Sequence, residues 1–387
     1  MRNMTHIKNS YHQVKSLKGF TLVEIMVALV ISSILMLAVI QVFSNSKRNS
    51  KVNEAVSRVQ ENARFAMESI ITDFRKAGYV GCSSDNLNSF VDTSGSGADD
   101  LFNLSTGTGG WEYTASSTKP NTTSTASPYT IPVPFSVISA PSNWDNSAAN
   151  DLPASLADKV APGSDVIVIK WAEPVQGLTG AASNNQNNAT VRTSAAHGIP
   201  PGGIVILTNC KGGDVFMNNA TADNQLTRGV AAGWEPGNTN ASADWSQPWK
   251  DETQLMGVES RAYYIGKGTG GGPALMRVSY KNGLSDNGTS LAVFEELVEG
   301  IENIQILFGV DSDDDSVVDT YDTAENVSHA QVISLQLGMI VASDAESLPT
   351  AKSRTLNVIG TYIKTPNDRR LRYVFSSTTK LRNKGVK

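Results

Sequence analysis

The 24 residues from Phe20 to Phe43, FTLVEIMVALVISSILMLAVIQVF, limit what the rest of the chain can do. As a helix rising ~1.5 Å per residue this run is about 36 Å long, more than the ~30 Å hydrocarbon core of a bilayer requires. It holds one carboxylate, Glu24. A carboxylate at membrane depth costs roughly 2.5 to 3.5 kcal/mol on insertion scales, so it calls for a role or a partner. Ahead of the run, Arg2, Lys8, Lys15 and Lys18 are unopposed by acid. That bias keeps the N-terminus in the cytoplasm and sends the remainder across the membrane, although Lys47, Arg48 and Lys51 flank the far end.

An ordinary secretory signal has a shorter apolar core with a small-residue cleavage site beyond it, and QVFSNSKRNS offers only a poor one. A plain membrane anchor has the length but no use for Glu24. The string Lys18-Gly19-Phe20-Thr21-Leu22-Val23-Glu24 resembles the class III signal of type IV pilins and type II secretion pseudopilins. The resemblance implies a leader, residues 1–19, cut by a prepilin peptidase between Gly19 and Phe20, with methylation of the new N-terminal Phe20. It also implies that Glu24 acts in subunit assembly.

From Phe20 to Ala77 there is neither Gly nor Pro. Past the apolar run, Val52, Ala55, Val56, Val59, Ala63, Ala66, Met67, Ile70, Phe74 and Ala77 recur at the helical period. Between them Glu54, Arg58, Glu61, Arg64, Glu68, Asp73 and Arg75 read as a solvated face. One helix over 20–77 is therefore predicted, its first part (20–43) for the membrane and its second packed on a head, with Gly78 as the stop. The segments Gln60-Glu61-Asn62-Ala63-Arg64-Phe65-Ala66 and Arg75-Lys76-Ala77-Gly78-Tyr79-Val80-Gly81-Cys82 resemble those of PilW-type minor pilins. So do Leu297-Val298-Glu299-Gly300, Phe308-Gly309-Val310-Asp311 and the closing Leu371-Arg372-Tyr373-Val374-Phe375 to Leu381-Arg382-Asn383.

Residues 78–150 are rich in Ser, Thr, Gly, Asn and Pro, and read as a loop insertion decorating the head, either a binding surface or functionally silent. Over 151–387 strand-like runs dominate: 165–171, 204–207, 262–265, 274–280, 304–308, 332–337 and 356–359. Their connections are short and Gly-rich, which favours antiparallel pairing. The fold class expected is α+β, a long N-terminal helix laid on an antiparallel sheet head, as in pilins.

The net charge is -5; without the four leader cations, 28 basic residues face 37 acidic ones, which gives -9. An acidic head gives no electrostatic reason to expect direct nucleic-acid binding. The two cysteines, Cys82 and Cys210, lie beyond the membrane run. In an oxidising compartment they would pair, the alternative being two separate buried thiols; the family resemblance makes Cys82 one partner of a disulfide.

The strongest metal candidate is the acidic stretch after Val310. Asp311, Asp313, Asp315, Val317 (by its carbonyl), Asp319 and Asp322 fall at calcium-loop positions 1, 3, 5, 7, 9 and 12. Ser316 stands where that loop uses Gly, and Asp322 where it uses Glu, so a Ca2+ loop and a solvated acidic turn both stay open. No cofactor is otherwise required. Gly266-Lys-Gly268-Thr-Gly270-Gly271 matches GxGxxG, but Gly272-Pro273 leads into a strand, so a hairpin is expected in place of a dinucleotide site. His197 and His329 are isolated, no catalytic triad is evident, and no enzymatic activity is expected.

The resemblance thus implies a type IV pilus minor pilin, resident in the inner membrane with its head in the periplasm and then in the fibre. Implied partners are the prepilin peptidase, other minor pilins and the major pilin, and the inner-membrane assembly platform. The implied role is priming of assembly at the fibre tip. The alternatives are a J-type pseudopilin of a type II secretion system and a membrane-tethered adhesin.

Overall fold

The computed structural model describes residues 19–82, 87–93, 98–114, 128–137, 140–148, 151–230, 233–239, 244–281, 283, 285–286 and 289–383. The leader, apart from Gly19, lies outside them. The chain divides into two units, Met1–Asn53 and Glu54–Lys387.

One helix, Leu22–Phe74, runs from the first unit into the second. Its first unit is apolar and uncovered: every large hydrophobic from Leu22 to Phe43 is more than half exposed. Ser32 and Ser33 donate their hydroxyls to the carbonyls of Ala28 and Val30 (2.6 and 2.8 Å), so neither presents a free polar group on this surface. In the head, the helical stripe Ala55, Val59, Ala63, Ala66, Ile70 and Phe74 is buried, as the periodicity predicts. The helix ends one turn before Gly78, whose φ of +72° is the left-handed conformation that stops a helix. The amide of Gly78 then donates to the carbonyl of Lys170 (2.9 Å), handing the chain to the sheet.

The head is built on a nine-stranded sheet. Gln254–Lys267 is its longest strand and pairs antiparallel with Val166–Pro174, Ile204–Asn209 and Pro273–Ser279. A four-stranded antiparallel sheet follows, with Val332–Glu346 and Ile301–Val310 at its centre and Thr320–Asp322 and Arg370–Lys380 at its edges. Helix residues Val59, Ala63, Ala66, Ile70 and Phe74 share one core with Trp171, Tyr263 and Leu275 of the large sheet and Ile306, Leu337 and Met339 of the smaller. The α+β class is therefore as expected. Among the described residues two pairings are parallel, Leu87–Ser89 with Gly212–Met217 and Tyr129–Thr130 with Thr361–Lys364.

Residues 78–150 differ from the expectation of a loop insertion in two described segments, 108–113 and 144–145. Thr108–Tyr113 is a fully buried strand paired with Val166–Pro174, and Trp144–Asp145 extends the same sheet. Leu101, Phe102, Trp111 and Trp144 form a second core on that sheet with Val168 and Tyr264. Burial of four large side chains anchors this segment in the head's interior. Asp165, buried at the start of the neighbouring strand, accepts from the Ile306 amide (2.8 Å) of the other sheet and from the Tyr113 amide. Burial pushes its carboxyl up to about 7.

Asp73 also departs from the reading of a solvated helix face. It is 4 % exposed and accepts from the Tyr263 hydroxyl (2.6 Å) and an Arg261 guanidinium nitrogen (2.9 Å). Lys76 and Arg261 both lie 4.9 Å from the Trp171 ring. Burial works against the Arg261 charge, but Asp73 and Glu259 together more than offset it and hold the guanidinium above its ordinary range. Removing one partner of such a pair strands the other in a low-dielectric site. Asp73→Ala is accordingly expected to destabilise the head by about 3 kcal/mol, read from denaturant midpoints of the detergent-solubilised chain. A loss below about 0.5 kcal/mol, the scale of an exposed pair, would rule out the clamp.

Candidate functional site

At the start of the helix the sequence Thr21-Leu22-Val23-Glu24 folds into a reciprocal cap. The Thr21 amide and hydroxyl both donate to a Glu24 carboxylate oxygen at 2.9 Å, and the Glu24 amide donates to the Thr21 hydroxyl at 3.2 Å. This is the capping box, which satisfies amides left free at a helix N-terminus. The T-x-x-E spacing carried that signal. Glu24 therefore has a local partner in addition to any role between subunits. Only one of its oxygens is engaged, and its side chain stays exposed. Gly19 and Phe20 precede the helix, with Phe20 84 % exposed and a Cβ at Gly19 meeting nothing within 4 Å. Both residues are exposed.

In the head, Cys82 and Cys210 are bonded, across 128 positions of sequence. Cys210 lies at the turn between Ile204–Asn209 and Gly212–Met217. Cys82 follows the exit of the long helix. The bond ties that exit to a hairpin of the large sheet.

The acidic stretch is the loop between the paired strands Ile301–Val310 and Thr320–Asp322. Among the described residues, the carboxylates that converge there are Asp311, Asp313 and Asp315, each offering an oxygen within 4.8 Å of the others. The Asp311 carboxylate accepts from the Asp315 and Ser316 amides (3.1 and 2.8 Å), which curls the loop. Ser316, at the position that a calcium loop gives to Gly, has φ +69°. The charge of Asp315, ahead of those of Asp319 and Asp311, raises the Asp313 carboxyl above its ordinary value.

The other three expected ligands stand apart from this group. Asp319 accepts from the amide and hydroxyl of Ser312, while Asp322 faces Phe308 across the hairpin and accepts from the Thr323 amide and the Asn326 side chain. Val317 is exposed. Among the described residues only Asp311, Asp313 and Asp315 converge, while Asp319 and Asp322 are engaged by Ser312, Thr323 and Asn326.

The Gly266–Gly271 motif is the hairpin between Gln254–Lys267 and Pro273–Ser279, as its context implies. His197 is buried, with Nε2 on the Gln225 carbonyl (2.9 Å) and Nδ1 accepting from the Ile199 amide (3.0 Å). His329 packs edge-on against Phe308. Both serve the fold.

Two comparisons bear on this arrangement. Residues 262–383 match the family model of PilW, type IV pilus-assembly protein W, and residues 15–40 match the prokaryotic N-terminal methylation motif. No curated protein and no solved structure matches the chain. The first match covers Ile301–Val310 and Val332–Glu346, two of the strands that carry the helix, and the second covers Gly19, Phe20 and the capped Glu24. With the methylation motif at the head of an uncovered, membrane-anchoring helix and the PilW match over the C-terminal third of the head, the two matches together support a PilW-type pilin.

Proposed function

We propose that this chain is a minor pilin that helps to prime assembly of a type IV pilus and stays at the fibre tip. The observation that carries the reading is the uncovered apolar helix behind a methylation motif, joined to a PilW-matching head. A surface of this kind is stable in lipid or among like helices and nowhere in water. The prepilin peptidase cuts between Gly19 and Phe20. The inner-membrane assembly platform then extracts the chain to join other minor pilins and the major pilin. The N-terminus lies on the cytoplasmic side and the head on the periplasmic side, as the basic leader favours. The part played is structural, without catalysis.

In the fibre the carboxylate of Glu24 neutralises the N-terminal ammonium of a neighbour, which fixes axial register. Intact-mass measurement of the chain from membranes tests the processing step. The expected mass is that of residues 20–387, plus one methyl group and less the two hydrogens of the disulfide. A mass that includes Met1, or a start beyond residue 43, would refute the proposal. Deletion is expected to abolish piliation. Lost exoprotein secretion with piliation intact would favour a pseudopilin, and lost attachment with normal pili an adhesin.

Calcium at Asp311, Asp313 and Asp315 is the cofactor part of the reading, supported by the donor chemistry: three hard oxygens whose mutual repulsion a divalent cation would relieve. Millimolar calcium is expected to raise the melting temperature of the wild-type chain and to leave Asp313→Asn unmoved. An equal response in both would remove calcium from this turn.

A further inference from the structure

We infer that the open edge of the strand Arg370–Lys380 is a docking line for an extended acidic strand from another pilus-assembly subunit. This strand ends the four-stranded sheet and, among the described residues, pairs on one side only, with Val332–Glu346. The direction of its backbone groups follows from three contacts. The Leu381 amide donates to the Ile333 carbonyl (2.8 Å), the Leu371 amide donates to the Ser343 hydroxyl (3.0 Å), and the Thr379 carbonyl accepts from the Ser334 hydroxyl (3.0 Å). Odd-numbered residues therefore face the sheet. In an antiparallel ladder the intervening residues, Val374, Ser376 and Thr378, aim their N–H and C=O outward at intervals of about 6.8 Å. Only another extended chain matches that repeat.

Natural sheets defend such edges with short strands, bulges, proline or charge. The opposite edge of the same sheet, Thr320–Asp322, is three residues long, and Val293–Glu299, an edge of the large sheet, carries three glutamates. Arg370–Lys380 has none of these defences at its centre. Its pairing runs from Arg372 to Lys380 without a register shift, and Tyr373–Thr379 holds no proline and no charge. Tyr373 is 43 % exposed, and Ser376 and Thr378 are exposed as well.

Charge selects the occupant. Residues 347–383 hold eight Lys and Arg against one acid, Asp368, in a chain whose net charge is -5. Asp368 is already bound to Arg372, whereas Lys352, Arg354, Lys364 and Arg370 make no ion pair among the described residues. Along the strand itself Arg370, Arg372, Lys380 and Arg382 flank the uncharged centre Tyr373–Thr379, and an acidic strand is the partner that complements them. A second copy of this strand does not: antiparallel pairing about Ser376 would set the basic ends, 370–372 and 380–382, against each other. That the donor is a pilus subunit rests on the function proposed above.

The test places a photo-crosslinking residue at Thr378 of the full-length chain in piliated cells and sequences the linked peptide. The expected partner peptide is an extended acidic segment of another pilin-type subunit. Ser376→Pro removes one outward N–H and leaves the inner ladder intact; it is expected to cut the yield about tenfold, with Ser376→Ala unchanged. Amide exchange guards against misfolding of the proline variant. In wild-type assemblies the amides of Val374, Ser376 and Thr378 should exchange at least about tenfold more slowly than in the detergent-dispersed chain. Equal exchange in both states, linkage to residues 370–380 of a second copy, or linkage to nucleic acid or lipid alone would each overturn the proposal. Leader removal is scored separately, so a processed chain that fails these tests refutes the docking line and leaves the pilin reading standing.

Discussion

Glu24→Gln is expected to be inserted and cut at Gly19 normally, yet to enter fibres at a level reduced by about tenfold or more. Glutamine can fill the third position of a capping box as glutamate does, so the helix start around Thr21 is retained. What disappears is the negative charge. If that charge neutralises a neighbour's ammonium in a low-dielectric core, its removal leaves a buried cation unpaired, a penalty of several kcal/mol. Each 1.4 kcal/mol corresponds to tenfold in an equilibrium. Glu24→Ala removes both the cap and the charge and should assemble no better. The measurement is the variant's abundance in sheared fibres relative to membranes. Normal incorporation of the glutamine variant would reduce Glu24 to the local cap that its bonds to Thr21 already describe.

Cys210→Ser is expected to cost about 4 to 5 kcal/mol of head stability, because the lost cross-link closed a loop of 128 positions. In a head of this size that corresponds to a fall in melting temperature on the order of 10 °C. Reduction of the wild-type chain should give the same shift, and adding reductant to the variant should give none further. The loss should be felt first where the helix exit at Cys82 meets the hairpin at Cys210, as early proteolysis after Gly78. A change below about 1 kcal/mol would mean that the helix clamp at Asp73 and the surrounding core already restrict that loop.

Several strands could be read from the sequence because Val, Ile and aromatic runs mark them: 165–171 lies on Val166–Pro174, and 332–337 opens Val332–Glu346. Thr108–Tyr113 escaped notice because Gly109 and Gly110 depress strand propensity. The structure gives the reason for Gly110, where a Cβ would stand 2.7 Å from the Val166 carbonyl oxygen and 3.0 Å from the Phe308 ring. Asp73 was misplaced for a related reason. Helical periodicity sorts residues by polarity, and a buried acid matched by Arg261 and Tyr263 on a distant strand looks like any other polar position.

The acidic turn shows the same division. Spacing along the chain placed six ligands at calcium-loop positions, but among the described residues only the Asp311, Asp313 and Asp315 carboxylates converge. By itself the sequence determined the long apolar helix and the amphipathic stripe that the head buries. Each is a local pattern, read within a few turns of one helix. The tertiary structure alone decided which acid is buried, which glycines lie against a neighbour and which strand is left without one. Those depend on residues far apart in the chain, and local propensity carries no information about which of them pack together.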